Sequence, residues 1–321
     1  GMMFLLDWSG SMQRNLMPTT EQLLNLVMFC RKINIPFSVY KFLNNSSAGY
    51  SYSERMANKM KSHPDSPFIT DSKTLQPDQT TRLVQLFTHK QSKSDFKRCA
   101  ENLHRSAMYF SDYGYNRRSY DPDYHSIPSI THKYYLSSTP LNEAFIAMDP
   151  MIAKFRKDYR TDKVALVTLT DGSANSISSV DGGDLMIKLN NRYKKCEYSW
   201  RGSKGKDLTH HLLDNLKKKY QLQTIGFFLV KKYNDLRYTF NVPYAKEALA
   251  KRMFTKDKFI ADYGTGYDVY YYVKSDTKVA NKVYDDTATV KKSQLKRMFM
   301  SGMKKRLESR VLLQNFIKRV A

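Results

Sequence analysis

Short unbroken apolar runs alternate along this chain with stretches whose apolar residues recur every three or four positions. That is the pattern of buried parallel strands joined by amphipathic helices. The first run, Met2 to Leu6, stops abruptly at Asp7. Helical spacing follows over residues 20 to 32, with Leu23, Leu24, Leu26, Val27, Phe29 and Cys30, and Pro36 closes the connection before a second strand, Phe37 to Phe42. The same reasoning predicts strands over 163–170, 221–230 and 267–273, and helices over 94–110, 207–220 and 244–253. Leu83 to Phe87 is too short for periodicity to arbitrate, and reads either as an edge strand or as a helical turn. The expected architecture is α/β: a doubly wound, mostly parallel sheet of about six strands with one antiparallel edge and helices on both faces.

Polar stretches interrupt this alternation and read as large loop insertions at about 44–80, 109–137 and 173–206. The first carries a short helical pattern around 53–62. The second interleaves tyrosines with Arg117, Arg118, His125 and His132, which suits either rings packed over a sheet edge or a surface that stacks bases. In the third, Leu185–Leu189 and Lys194 to Trp200 are expected to pair as an antiparallel ribbon. We divide the chain into one domain over 1–285 and a basic amphipathic helix over 286–321. From Leu295, apolar residues recur every four positions through Phe299, Met303, Leu307 and Val311. The last helix of an α/β sheet accounts for that stripe better than a membrane-surface helix does.

Charge changes the picture of partners. Lys and Arg number 53 against 30 Asp and Glu, a formal net charge of +23, which favours contact with phosphates or an acidic protein surface. No apolar run approaches the roughly 18 residues needed to cross a bilayer, so no membrane partner is expected. Cys30, Cys99 and Cys196 are odd in number and widely spaced, matching no disulfide framework or CxxC metal site, and a cytoplasmic location is expected. Gly1 directly on the first strand leads us to expect a missing upstream segment.

Candidate chemistry sits where strands end. Asp7-x-Ser9-x-Ser11 delivers a carboxylate and two hydroxyls into the loop after the first strand, the place where open α/β sheets bind ligands. Asp171, before the turn residue Gly172, repeats that position on a later strand. Thr139 precedes Pro140 and a helical pattern, and is a second loop ligand or a plain N-cap. Asp121-Pro122-Asp123-Tyr124-His125 reads as turn residues, because its spacing is one that no ion demands. Gly202 to Lys206 is not a phosphate-binding loop, since its glycines are misplaced and no Ser or Thr follows the lysine.

Asp7-x-Ser9-x-Ser11, Thr139-Pro140-Leu141-x-Glu143-Ala144 and Thr170-Asp171-Gly172, in that order, resemble the metal-ion-dependent adhesion site of von Willebrand factor A (VWA) domains. In general layout the chain is most similar to CobT-like VWA proteins, relatives of a cobaltochelatase subunit, including those of tailed bacteriophages. The resemblance implies Mg²⁺, replaceable by Mn²⁺, held by Ser9 and Ser11 directly, with Asp7 and Asp171 orienting waters and Thr139 as a switchable ligand. It implies a non-catalytic interaction module that engages an acidic residue of a partner, a MoxR-type AAA+ ATPase oligomer, in the cytoplasm, or the host cytoplasm if phage-encoded. One departure is Ser137-Ser138, where many relatives carry glycines. The alternative function is nucleic-acid binding through the basic tail and the Tyr-rich insertion. A hydrolase ranks last, because the sequence shows no Ser-His-Asp grouping, acid–base pair or HExxH.

Overall fold

The computed structural model describes residues 1–44, 81–111, 136, 138–172, 174–175, 185–189, 192–196, 205–236 and 244–275. Most of the three expected insertions and all of the basic helix over 286–321 lie outside the described residues. In chain order the elements are β1 (Met2–Asp7), α1 (Leu16–Lys32), β2 (Phe37–Asn44), β3 (Thr81–Thr88), α2 (Lys93–Phe110), α3 (Leu141–Tyr159) and β4 (Ala165–Leu169). There follow β5 (Leu185–Leu189), β6 (Arg192–Cys196), α4 (Gly205–Tyr220), β7 (Gln223–Val230), α5 (Tyr244–Lys256), β8 (Phe259–Asp262) and β9 (Val269–Lys274).

Seven strands form one sheet in the order β3-β2-β1-β4-β7-β9-β8. β2, β1, β4, β7 and β9 run parallel, and both edges, β3 and β8, are antiparallel. The sequence leads to about six strands and one antiparallel edge. The difference is β8, a four-residue strand with a single fully buried side chain, Ile260, too short to show an alternation. β3 resolves as an eight-residue edge strand whose mixed burial explains why its pattern was ambiguous. β5 and β6 pair as an antiparallel ribbon, Leu189 opposite Arg192, with β5 where the sequence puts it; β6 begins two residues before the expected Lys194, and residues 197–200 lie outside the described residues.

β1 lies inside the sheet, between β2 and β4, because it can bury both faces. All of Met2 to Leu6 are fully buried, as a strand flanked by parallel neighbours and covered on both sides requires. The connection through α1 steps from β1 leftward to β2, whereas α4 carries the chain from β4 rightward to β7. Right-handed crossovers in opposite directions put α1 and α4 on opposite faces. α2 packs on α1, and α3 packs on α4. The topology therefore switches between β1 and β4, and their carboxyl ends open a crevice there. No helix among the described residues is long and apolar enough to cross a membrane.

α3 runs further than its sequence pattern indicates, because Pro150 sits inside it without ending it. Arg160 stops it in the left-handed conformation at φ 49°, with its N–H donating to the Arg156 carbonyl. Pro140 stands at the cap position rather than in the first turn, so the helix begins at Leu141, just after Thr139.

Candidate metal centre

Strand alternation decides which side chains meet. Leu5 lies beside Thr168, and two residues on, Asp7 and Thr170 project from the same face of adjacent strands. The Thr170 hydroxyl donates to Asp7 Oδ2 at 2.6 Å, a buried bond between residues far apart in sequence. Thr170 Oγ1 in turn accepts from the Gly172 N–H at 3.2 Å, which fixes its hydroxyl proton towards Asp7. Gly172 holds φ at +83°, a conformation that L side chains rarely adopt, and this turn is what brings the chain back after Asp171.

Past Asp7 the chain leaves the sheet at once. Trp8 N–H still donates to the Phe42 carbonyl at 3.1 Å, and then Met12 and Gln13 N–H groups donate to the Ser9 and Gly10 carbonyls, turning the chain into α1. That tight turn sets the Ser9 and Ser11 hydroxyls 3.0 Å apart, with Ser9 fully buried and Ser11 exposed. Two neutral oxygens thus stand together at the crevice, one inside and one facing outward.

Thr139 reaches the same end of the sheet by two ties. Asn44, the last residue of β2, donates from Nδ2 to Ser138 Oγ at 3.0 Å. On the other side, the Asn175 N–H donates to the Thr139 carbonyl at 2.9 Å, and Asn175 follows Asp171 by four residues. β1 lies between β2 and β4, so the Ser138–Thr139 loop bridges across the end of β1. The Asn142 side chain continues the brace, donating to the Asn175 carbonyl at 3.5 Å and accepting from Thr209 Oγ1 at 2.7 Å on α4. All five candidate residues, Asp7 at the end of β1 and Ser9, Ser11, Thr139 and Asp171 in loops, therefore lie at one end of the sheet, by the β1–β4 crevice. Four of the five are buried, with Ser11 the exception.

Electrostatics mark the same place. Burial pushes the Asp7 carboxyl well above its ordinary value, the nearby Asp171 carboxylate pushes it further, and bonds from Thr170 and Ser9 act the other way. Asp7 Oδ1 is buried and accepts no hydrogen bond among the described residues. Two carboxylates at close quarters, one with an unsatisfied oxygen, make an arrangement that a divalent cation would relieve. The donors are hard oxygens only, which suits Mg²⁺ or Mn²⁺ rather than a soft ion. The residues fit the group that the resemblance implies.

Comparison with known proteins adds little. No family model matches the chain. No curated protein matches it either. Among solved structures, two forms of the pilus adhesin SpaC from Lactobacillus rhamnosus GG, one in an open conformation, are 12% identical, with TM-scores of 0.38 and 0.35. Each match covers 78% of this chain and 26% of that one, so the chain spans about a quarter of the adhesin's length. A likeness that distant carries no argument about function.

Pairwise spacing could not reveal the supporting residues. Tyr270, on β9, donates from its hydroxyl to the Thr170 carbonyl at 2.5 Å and so braces the strand end that carries Asp171. Its ring crosses β7 at Gly226, the residue in register with it. A Cβ at Gly226 would lie 2.1 Å from Tyr270 Cδ2. Gly226→Ala is therefore expected to destabilise the protein by about 1–3 kcal/mol, the usual cost of overpacking a core. Thermal melting measures it, and an unchanged midpoint would mean that the Tyr270 ring does not hold its place against β7. The only hint in the sequence was a lone glycine inside an apolar strand, which signals close approach without naming the neighbour.

Proposed function

We propose that this protein is a metal-dependent interaction module of the VWA type, closest in layout to CobT-like proteins. It would hold Mg²⁺ through Ser9, Ser11 and Thr139 with Asp7 and Asp171, and engage a carboxylate of a partner with that ion. The observation that carries the reading is the fully buried Asp7 carboxylate with Oδ1 unsatisfied among the described residues, two residues before a pair of serine hydroxyls that stand 3.0 Å apart. Neutral hydroxyls leave a bound cation with charge to spare, so an acidic group from outside can complete its shell. The ion, when bound, would supply Lewis acidity there. The chain's own residues supply its seat: Thr170 and Gly172 orient Asp7, and the Asn142–Asn175 brace holds the Thr139 loop.

By resemblance, the partner is an oligomeric AAA+ ATPase of the MoxR type, and the role is non-catalytic. A contact made through the ion depends on both the metal and one acidic partner residue, much as a buried charge pair depends on both members. Co-purification with the candidate ATPase is therefore expected to need Mg²⁺, and to be lost on adding chelator or on Ser9→Ala or Asp171→Ala. Circular dichroism would check that the variants keep their fold. Association unchanged by all three treatments would sink the reading.

A further inference from the structure

At the end of the sheet opposite the candidate metal centre, cations gather. Parallel strands begin there and the helices returning to them end there, so the last turn of α1 contributes Arg31 and Lys32. The final turns of α3 add Lys154, Arg156 and Lys157. Arg160 and Lys163 lie in the link to β4, and Lys90 lies in the turn after β3.

Contacts join these residues into one patch. The Arg31 guanidinium donates to the Gln91 carbonyl at 3.3 Å. The His89 ring meets Phe37 and Tyr159 edge-on, at 5.6 and 6.0 Å between centroids, and Lys90 Nζ lies 5.1 Å from the Tyr159 ring. The Gly1 amine donates to the Lys163 carbonyl at 2.7 Å, and Arg156 donates to the Asp162 carbonyl, which closes the patch from β1 to α3. Two carboxylates lie among these eight cations. Asp158 is paired with Lys154 at 2.8 Å, and Asp162 is exposed. Lys32, Lys90, Lys157, Arg160 and Lys163 are all exposed.

Part of this is helix chemistry, since a cation in a last turn complements the helix dipole. Lys90 and Lys163 lie outside any helix, so the dipole does not account for them. We infer that this basic pole binds the phosphate backbone of nucleic acid without sequence preference. A membrane is a poorer fit, because stable anchoring on a bilayer takes inserted apolar side chains as well as basic charge. Among the described residues the exposed large apolar side chains are Met108, Leu249, Met253 and Tyr263, none of them in the patch. An acidic protein is also a poorer fit, because such interfaces centre on desolvated aromatic or Arg anchors and are depleted in Lys. Mobile lysine heads are what contact with phosphate requires. From β3 to β4 the patch spans three strand intervals, roughly 14 Å, over which duplex DNA carries about eight charges. This is not the surface that the sequence singled out, which was the basic tail and the Tyr-rich insertion.

The test is fluorescence anisotropy of a labelled 20-base-pair duplex of arbitrary sequence, titrated with the full chain from 50 to 200 mM KCl. Binding is expected at 50 mM, with log affinity falling against log salt at a slope of about −4 or steeper. A triple variant, Lys154→Glu, Lys157→Glu and Arg160→Glu, should weaken binding at least about tenfold and flatten the slope by several units. Reversing the same charge on α5, by Lys251→Glu, Arg252→Glu and Lys256→Glu, should change affinity about twofold or less. Both sets are exposed, so both variants are expected to fold. Equal losses in the two variants would assign binding to overall charge, and no loss in the first would assign it elsewhere. No complex at 50 mM, or tighter patch-dependent binding to phosphatidylserine vesicles than to DNA, would overturn the inference as well.

Discussion

Replacing Asp7 by Asn is expected to abolish metal binding and, at the same time, to stabilise the metal-free protein at alkaline pH. The side chain keeps its shape and can still accept from Thr170 Oγ1, so the substitution removes only a charge. That charge is expensive, because burial and the neighbouring Asp171 both hold the Asp7 carboxyl above its ordinary range. A group raised in this way takes up its proton more readily when folded. Its contribution to stability is therefore complete below the unfolded carboxylate pKa of about 3.9, and is lost as pH rises through the raised folded value. In chelator the wild-type melting temperature should fall relative to that of Asp7→Asn between mild acid and pH 8, by the equivalent of about 1–3 kcal/mol. Adding Mg²⁺ should recover the loss at pH 8, do little at pH 5, and leave the variant unmoved. Isothermal titration with Mn²⁺ should show a loss in the variant larger than the roughly 10–100-fold typical of outer-shell partners. Undiminished Mn²⁺ binding by Asp7→Asn would remove Asp7 from the site, and parallel pH profiles would remove the strained carboxylate pair.

Trp8→Ala is expected to cost about 3–5 kcal/mol, a large part of the stability of an ordinary domain. Trp8 lies between the candidate ligands Asp7 and Ser9 but points to the other face of the sheet, where it is fully buried. Its ring meets Phe110 of α2 edge-on at 6.1 Å, and Lys41 Nζ lies 4.4 Å from its centroid. Burial already pulls the Lys41 ammonium down to about 8, so losing the π face would leave that cation worse placed. Trp8→Phe keeps a ring and should cost less than half as much. Urea denaturation of the three proteins measures both differences. A small effect of Trp8→Ala would mean that the α2 face packs without that ring.

Both residues flank one boundary that the sequence states openly, the stop at Asp7 after five apolar residues. The central strands were legible for that reason: each is an apolar run that burial on two faces demands, and β1, β2, β4, β7 and β9 all lie close to where that pattern puts them. β8 was not legible, because four residues with a single buried side chain carry no period. α3 was underestimated at Pro150, since proline usually ends a helix and this one continues through it. Of the candidate centre, the strand-end residues could be read from spacing, because polar side chains after an apolar run have few structural reasons to be there. Asn44, Asn175, Thr209 and Tyr270 could not. Each acts across the fold, on a serine hydroxyl, a backbone carbonyl or a side-chain amide, and no local pattern encodes a partner that distant.

The place of β1 between β2 and β4 also bears on the order in which the molecule can be assembled. Asp7 and Thr170 are 163 residues apart, yet they share a hydrogen bond on adjacent strands. A ribosome adding about 5–20 residues per second needs roughly 8–30 s to make the chain between them. Throughout that interval the apolar strand Met2 to Leu6 can pair with β2 on one side while its other edge, the one β4 will occupy, stays open. The edge of β1 beside the residues that would later grip a cation thus closes only once β4 has been made, and until then the nascent chain carries an apolar strand with one unsealed edge.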